Sequence, residues 1–267
     1  MGNEVIRAID NFNKNANNSE KIEIVCGFDK EESNVGFPIY NDINNIKEKV
    51  DVIIDFSVPV ATFEILKYAT KNKTPIVIAT TGFSKEQLEQ IEEYSKEIPI
   101  FRSSNMSLDI NLMASIIQKV AEVLTDSDIE IIETHHNRKI DSPSGTAILL
   151  ADAINEVLEN KKQYTFDRMQ KREKRNKNEI GFSSVRGGNV VGEHTVAFFG
   201  ENETLEITHK AYSRQVFAEG AIQAAWFIKE QKNGLFNMKN LTQLGTDSFC
   251  VKNDTKWVRP QLCHDKK

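Results

Sequence analysis

The sequence predicts an α/β fold: a parallel sheet with helices on both faces, joined to a smaller α+β part. Three observations lead there. Short apolar runs at 22–28, 52–56, 75–79 and 98–101 recur between amphipathic stretches, the alternation from which parallel sheets are wound. A further run, 128–134, leads through a polar loop into a helical pattern at 146–158. After Gly181 the alternation gives way to strands at 183–186, 194–199 and 204–210, expected to be antiparallel.

Each element has its own warrant. Val5, Ile6, Ile9 and Phe12 recur at helical spacing and predict a helix over 3–13. The strand at 22–28 ends at Asp29-Lys30, and a polar loop leads to a short helix over 44–49. The strand at 52–56 is followed by a helix over 58–71. The strand at 75–79 closes in the turn Thr80-Thr81-Gly82. Charges at Lys85, Glu86 and Glu89 mark 84–96 as an exposed helix, whereas 110–124 is a strongly apolar one. Residues 161–177 carry Lys161, Lys162, Arg168, Lys171, Arg172, Lys174, Arg175 and Lys177, a charge run read as a solvated loop. A last helix spans 217–232.

Composition narrows the partners. The chain has 267 residues and a formal net charge of −5, enough length for a sizeable core and too acidic for a nucleic-acid or anionic-membrane partner. Cys26, Cys250 and Cys263 form no C-x-x-C pair, which suggests reduced thiols in a cytoplasmic protein. No apolar run approaches membrane-spanning length, and the start lacks a signal-peptide core.

The chemistry concentrates in 130–147, E-I-I-E-T-H-H-N-R-K-I-D-S-P-S-G-T-A. Imidazoles at His135 and His136 and the ammonium of Lys139 exchange protons near neutral pH once tuned. Ser and Pro suit a helix start. The N–H groups of Ser144, Gly145 and Thr146 would then point outward at the positive helix end, an anion cradle for a phosphate or a carboxylate. Good capping chemistry and a surface histidine pair would leave the same residues in the sequence. Their combination after a buried strand favours a site.

This run closely resembles the signature of the 4-hydroxy-tetrahydrodipicolinate reductase (dihydrodipicolinate reductase) family of bacterial lysine biosynthesis. Supporting stretches are Ile54-Asp55-Phe56-Ser57, Ala79-Thr80-Thr81-Gly82-Phe83, Ser104-Asn105-Met106-Ser107, Arg186-Gly187-Gly188 with Gly192-Glu193-His194, Glu206-Ile207-Thr208-His209-Lys210, and Ser213-Arg214 with 217–221. The resemblance implies a Rossmann-like dinucleotide-binding domain from 1–107 and 215–241. It implies a substrate-binding and tetramerisation domain at 108–214, with the tail 242–267 unassigned. It further implies a cytoplasmic homotetramer that reduces a cyclic unsaturated dicarboxylate with NADPH or NADH. By position, Lys139 resembles the proton donor and His135 the second acid/base. His136, Ser144, Gly145 and Thr146 resemble the substrate carboxylate binders, and no metal is implied. Asp29 is placed for ribose hydroxyls and Lys30 for a 2′-phosphate. Ala79, Thr80, Thr81, Ser103, Ser104, Asn105 and Met106 match the nicotinamide-side loops. His194 and His209 are expected to be structural. Met1-Gly2 resemble the end of the family's G-x-x-G-x-x-G loop, so the first strand of the sheet is apparently missing, which would expose the edges of 22–28 and 52–56.

Two other classes stay in view. A metal-dependent hydrolase could use His135, His136, His194 and His209, although adjacent histidines rarely face one metal and no carboxylate sits at ligand spacing. A truncated, cofactor-deficient relative could serve as a binding or assembly subunit.

Overall fold

The structure is a computed structural model that describes residues 1–17, 21–31, 34–168 and 172–242. Three sheets organise it. Four parallel strands lie in the order β11-β5-β4-β3, namely Gly234–Phe236, Pro99–Arg102, Ile76–Ile78 and Ile53–Asp55. Five more lie in the order β10-β9-β6-β8-β7, namely Thr204–Ala211, Gly192–Phe199, Asp128–His135, Glu179–Arg186 and Gln163–Thr165. The third sheet is a short parallel pair, β1 (Gly27–Phe28) with β2 (Ile39–Tyr40).

The four-stranded sheet is covered on both faces, a Rossmann-like layering. On one face Ile76, Ile78 and Ile100 pack against Ile65, Leu66 and Ala69 of α2 (Pro59–Asn72) and Ile91 of α3 (Lys85–Ser95). On the other, Val77 and Phe101 meet Ala221, Ala224 and Ile228 of α6 (Gln215–Lys229) and Met238 of α7 (Met238–Thr242). Strands buried on both faces must be apolar throughout, and β4 is Ile-Val-Ile. The helix α1 (Gly2–Asn15) lays Ala8 and Ile9 on Ala218 and Ile222 of α6.

Among the described residues, the five-stranded sheet is covered on one face only. Ile129 and Ile131 of β6, Ile180 and Phe182 of β8, and Val196 and Phe198 of β9 pack beneath α4 (Leu108–Val123) and α5 (Gly145–Val157). Its other face leaves Ile132 and Val185 exposed.

Several expected elements take a different form. The strand expected at 22–28 shrinks to Gly27–Phe28. A strand needs an edge to pair with, and none of the described residues ladders onto the outer edge of β3. Ile22 and Ile24 pack instead around Ala8, Ile9 and Ile222, and the Asn13 amide holds the Ile22 backbone from both sides at 2.7 and 2.9 Å. The helix expected at 44–49 is a 3-10 turn, Ile43–Asn45, capped by the Asp42 carboxylate. β8 runs parallel to β6, not antiparallel, because α5 carries the chain over the sheet between them. The basic run is not a plain solvated loop. It contains β7, and its Arg175 guanidinium binds Asp128, Glu130 and the carbonyls of Ile129 and Glu179. Lys171 and the tail 243–267, with Cys250 and Cys263, lie outside the described residues.

Candidate active site

The period-two alternation of β6 builds the site. Ile129 and Ile131 point into the core, and the next two residues on that face are Glu133 and His135. Register supplies their neighbours. Glu133 lies opposite Ser184 of β8 and His194 of β9, and His135 lies opposite Arg186. Thus one end of a buried sheet face changes from apolar to ionisable within one strand.

Glu133 is the centre of the cluster, its side chain wholly buried. Arg186 grips it with Nη1 at 2.9 Å and Nη2 at 2.7 Å. The Nδ1 of His135 lies 2.5 Å from its Oε2, and the Ser144 N–H donates to Oε1 at 3.2 Å. Burial works to raise its pKa, but the hydrogen bonds from His135, Arg186 and Ser184 outweigh it and hold the carboxyl well below the usual carboxylate range. His194 is the opposite case. Burial, reinforced by the neighbouring His135, pushes its pKa down to about 3, so it is neutral at pH 7. Its Nε2 lies 2.9 Å from Ser144 Oγ, and its ring meets that of His135 edge-on at 5.1 Å.

Ser144 caps α5. Its Oγ accepts from the Ala147 N–H at 3.1 Å, and Pro143 stands before the cap rather than in the first turn. Ser144 was expected to offer its N–H to a substrate; it is buried, with that N–H turned inward to Glu133. The remaining first-turn residues of the cradle are Gly145, whose N–H turns toward the Asp141 carboxylate, and Thr146. Gly145 is exposed, and a Cβ there would meet no atom within 4 Å. Lys139 Nζ pairs with Asp141 Oδ1 at 2.7 Å in the loop that leads to the cradle. His136 is pushed down by burial and by the cations of Arg138, Arg214 and Lys139.

The nucleotide-side residues sit at the carboxyl ends of the parallel strands, where open α/β sheets bind ligands. Ala79, Thr80 and Thr81 follow β4, and 103–106 follow β5. Thr80 is buried, and its hydroxyl donates to Asp55 at 3.1 Å. Asp55 also accepts from Thr62 Oγ1 and the Ser57 N–H, so this buried carboxylate fixes the ends of two strands. Thr81 and Ser104 are exposed. Ser103 is buried and donates to the Asn105 carbonyl. The Asn105 amide donates to Thr146 Oγ1 at 2.9 Å, joining this loop to the cradle. Met106 gives its side chain to the core beside Phe101 and Ala221 rather than to the surface. Asp29 and Lys30 are exposed just past β1. Ser103, Ser104 and Gly145 share one cleft of about 630 Å³. No trio of His, Cys, Asp or Glu among the described residues has metal-holding geometry.

A family model described as dihydrodipicolinate reductase, N-terminus, matches residues 1–106, and one described as dihydrodipicolinate reductase, C-terminus, matches 109–242. The chain belongs to the dihydrodipicolinate reductase family. A reductase of this family from Caldanaerobacter subterraneus, named 4-hydroxy-tetrahydrodipicolinate reductase, is 51% identical over 232 residues, covering 87% of this chain and 92% of that one. One of the same name from Clostridium tetani is 49% identical over 219 residues, 81% of this chain and 86% of the other. Among solved structures, a dipicolinate-bound dihydrodipicolinate reductase from Paenisporosarcina sp. TG-14 superposes with a TM-score of 0.71 at 26% identity, over 89% of this chain and 93% of that one.

The dihydrodipicolinate reductase signature pointed to the loop residues but passed over Glu133, Arg186 and Asp55 as site-builders. A signal for Glu133 was present. A carboxylate two places before a histidine in a strand shares its face, and a carboxylate on a buried face requires partners.

Proposed function

We propose that this chain reduces 4-hydroxy-tetrahydrodipicolinate to tetrahydrodipicolinate, with loss of water, using NADPH or NADH in lysine and diaminopimelate biosynthesis. The observation that carries this reading is the joining of His135, Lys139 and the Gly145–Thr146 helix start in one loop and strand end of a chain from this family. Gly145 and Thr146 N–H groups and His136 hold the substrate carboxylates. Lys139 gives the proton that offsets charge building on the ring, and His135 is the second acid/base.

The residues present fit a nicotinamide nucleotide. α1 has no side-chain cap, and a Cβ at Gly2 would meet nothing within 4 Å, which leaves room for a pyrophosphate at the positive end of that helix. Asp29 and Lys30 suit the ribose and its 2′ substituent. Thr81 and Ser104 flank the approach to the substrate loop, while Ala79, Thr80, Ser103, Asn105 and Met106 shape the loops that carry them. When bound, the nucleotide supplies the hydride.

We read 1–107 with 215–241 as the nucleotide-binding domain and 108–214 as the substrate domain; β11 pairing with β5 supports the return of the chain. The uncovered sheet face bearing Ile132, Val185 and the Thr195–Thr208 hydroxyl pair is our candidate for homotetramer assembly in the cytoplasm. The test is NADPH or NADH oxidation with the condensation product of pyruvate and aspartate semialdehyde. Turnover with either nucleotide supports the reading. Its absence, while NADPH and pyridine-2,6-dicarboxylate still bind, would leave the chain a binding subunit.

A further inference from the structure

We propose that Glu133 is a positioning residue that ties the His135 imidazole and the first turn of α5 to one carboxylate, so that the acid/base ring and the carboxylate cradle hold a single mutual geometry. The inference rests on the reading above for the role of His135, but its structural half does not.

An ionised carboxylate only accepts, at about four lone-pair sites. The Arg186 fork and Ser184 donate to Glu133, and it also takes the His135 ring on Oε2 and the Ser144 N–H on Oε1, so every acceptor site is engaged. Because Glu133 cannot donate, His135 must carry its proton on Nδ1. The other ring nitrogen, Nε2, is left to exchange a proton. A Cβ at Gly192 would come within 3.0 Å of that Nε2, so glycine there keeps the space beside it free.

The same carboxylate sets the cradle. The Ser144 N–H points to Glu133 while the Ser144 hydroxyl receives the Ala147 N–H and meets His194, so the start of α5 is fixed from below at two atoms. Arg186 extends the tie, since its Nη2 also donates to the Asp141 carbonyl at 2.8 Å, in the loop that bears Lys139. Acid/base ring, ammonium loop and anion cradle therefore converge on one buried ion pair. A partner that locks an imidazole tautomer from behind is worth orders of magnitude in rate when the tautomer is the reactive one.

The test pairs a spectrum with kinetics. In the native protein, ¹⁵N-edited NMR of the histidine rings, with His135 assigned by difference against His135→Gln, should give the Nδ1–H tautomer at pH 8. An Nε2–H ring would overturn the proposal, whether or not any variant folds. In Glu133→Gln the side-chain amide can donate to the ring, and the His135 resonances should shift toward Nε2–H. kcat should fall roughly 100-fold or more while the Kd for NADPH stays within about twofold. A kcat within twofold of native with an unchanged tautomer would also overturn it. If the native chain fails to oxidise NADPH at all, the proposed function falls, and the tautomer still decides the tie.

Discussion

Lys139 and His194 carry opposite kinds of expectation at the scale of single residues. Lys139 pairs with Asp141 in the loop between β6 and α5, and it is no part of the apolar core, so its removal leaves that core intact. Lys139→Ala should lower kcat by roughly two to four orders of magnitude with nicotinamide binding little changed, a split that steady-state kinetics and NADPH titration resolve. His194 has a depressed folded pKa, about 3, against an ordinary value of 6.5. The unfolded chain therefore binds a proton below pH 6.5 that the native state refuses until about pH 3. Stability is full above that window and lost as pH falls through it, by about 1.4 kcal/mol per pH unit. His136 and His209, also pushed down by burial, add in the same direction. Urea midpoints should drop between pH 7 and pH 5, before carboxylates titrate, and His194→Gln should flatten that slope. That Lys139 stands in the loop between β6 and α5 was legible, because the apolar run before it and the helix signals after it are local. The neutrality of His194 was not, since it depends on a strand register that places it opposite Glu133 and beside His135.

At the scale of elements, two glycines make opposite predictions. A side chain at Gly145 finds open space, so Gly145→Val should fold with a nearly unchanged thermal midpoint. It would still stand before the N–H groups of α5, and calorimetry should show weaker binding of pyridine-2,6-dicarboxylate. Unchanged affinity would remove the cradle from the site. At Gly220 a Cβ would fall inside the Met106 carbonyl oxygen, because α6 lies flush against the loop after β5. Gly220→Ala should cost about 1–3 kcal/mol by overpacking, read from urea unfolding, and should displace the 103–106 loop. Nothing local in the sequence marks Gly220, since a glycine inside a helix is explained only by what crosses it. The strands β3 to β6 and helices α1 to α6 were legible within a few residues, because β3 to β5 are short continuous apolar runs, β6 alternates, and the helices repeat at 3.6. Strand direction was less legible. The three residues of β7 carry too little pattern to stand out in a charged run, and the alternation in β8 is the same whichever way it pairs.

For the whole molecule, assembly and ligand coupling are the open measurements. Light scattering of the intact chain should give four times the protomer mass, and charge placed on the uncovered face by Ile132→Lys with Val185→Glu should lower it. The hydrogen bond from Asn105 to Thr146 bears on the coupling. Asn105 stands in the loop after β5, and Thr146 in the first turn of α5. On the proposed sites, a nucleotide that settles the first would take slack out of the second. The second guest then spends less of its adhesion on ordering its seat. Pyridine-2,6-dicarboxylate should bind roughly 5-fold or more tightly when NADPH is already present, at the low end of ordinary coupling. Asn105→Ala should erase that advantage while leaving each affinity measured alone nearly intact. The help runs both ways, so a dicarboxylate seated first should tighten NADPH by the same factor, and one amide carries the message in either direction.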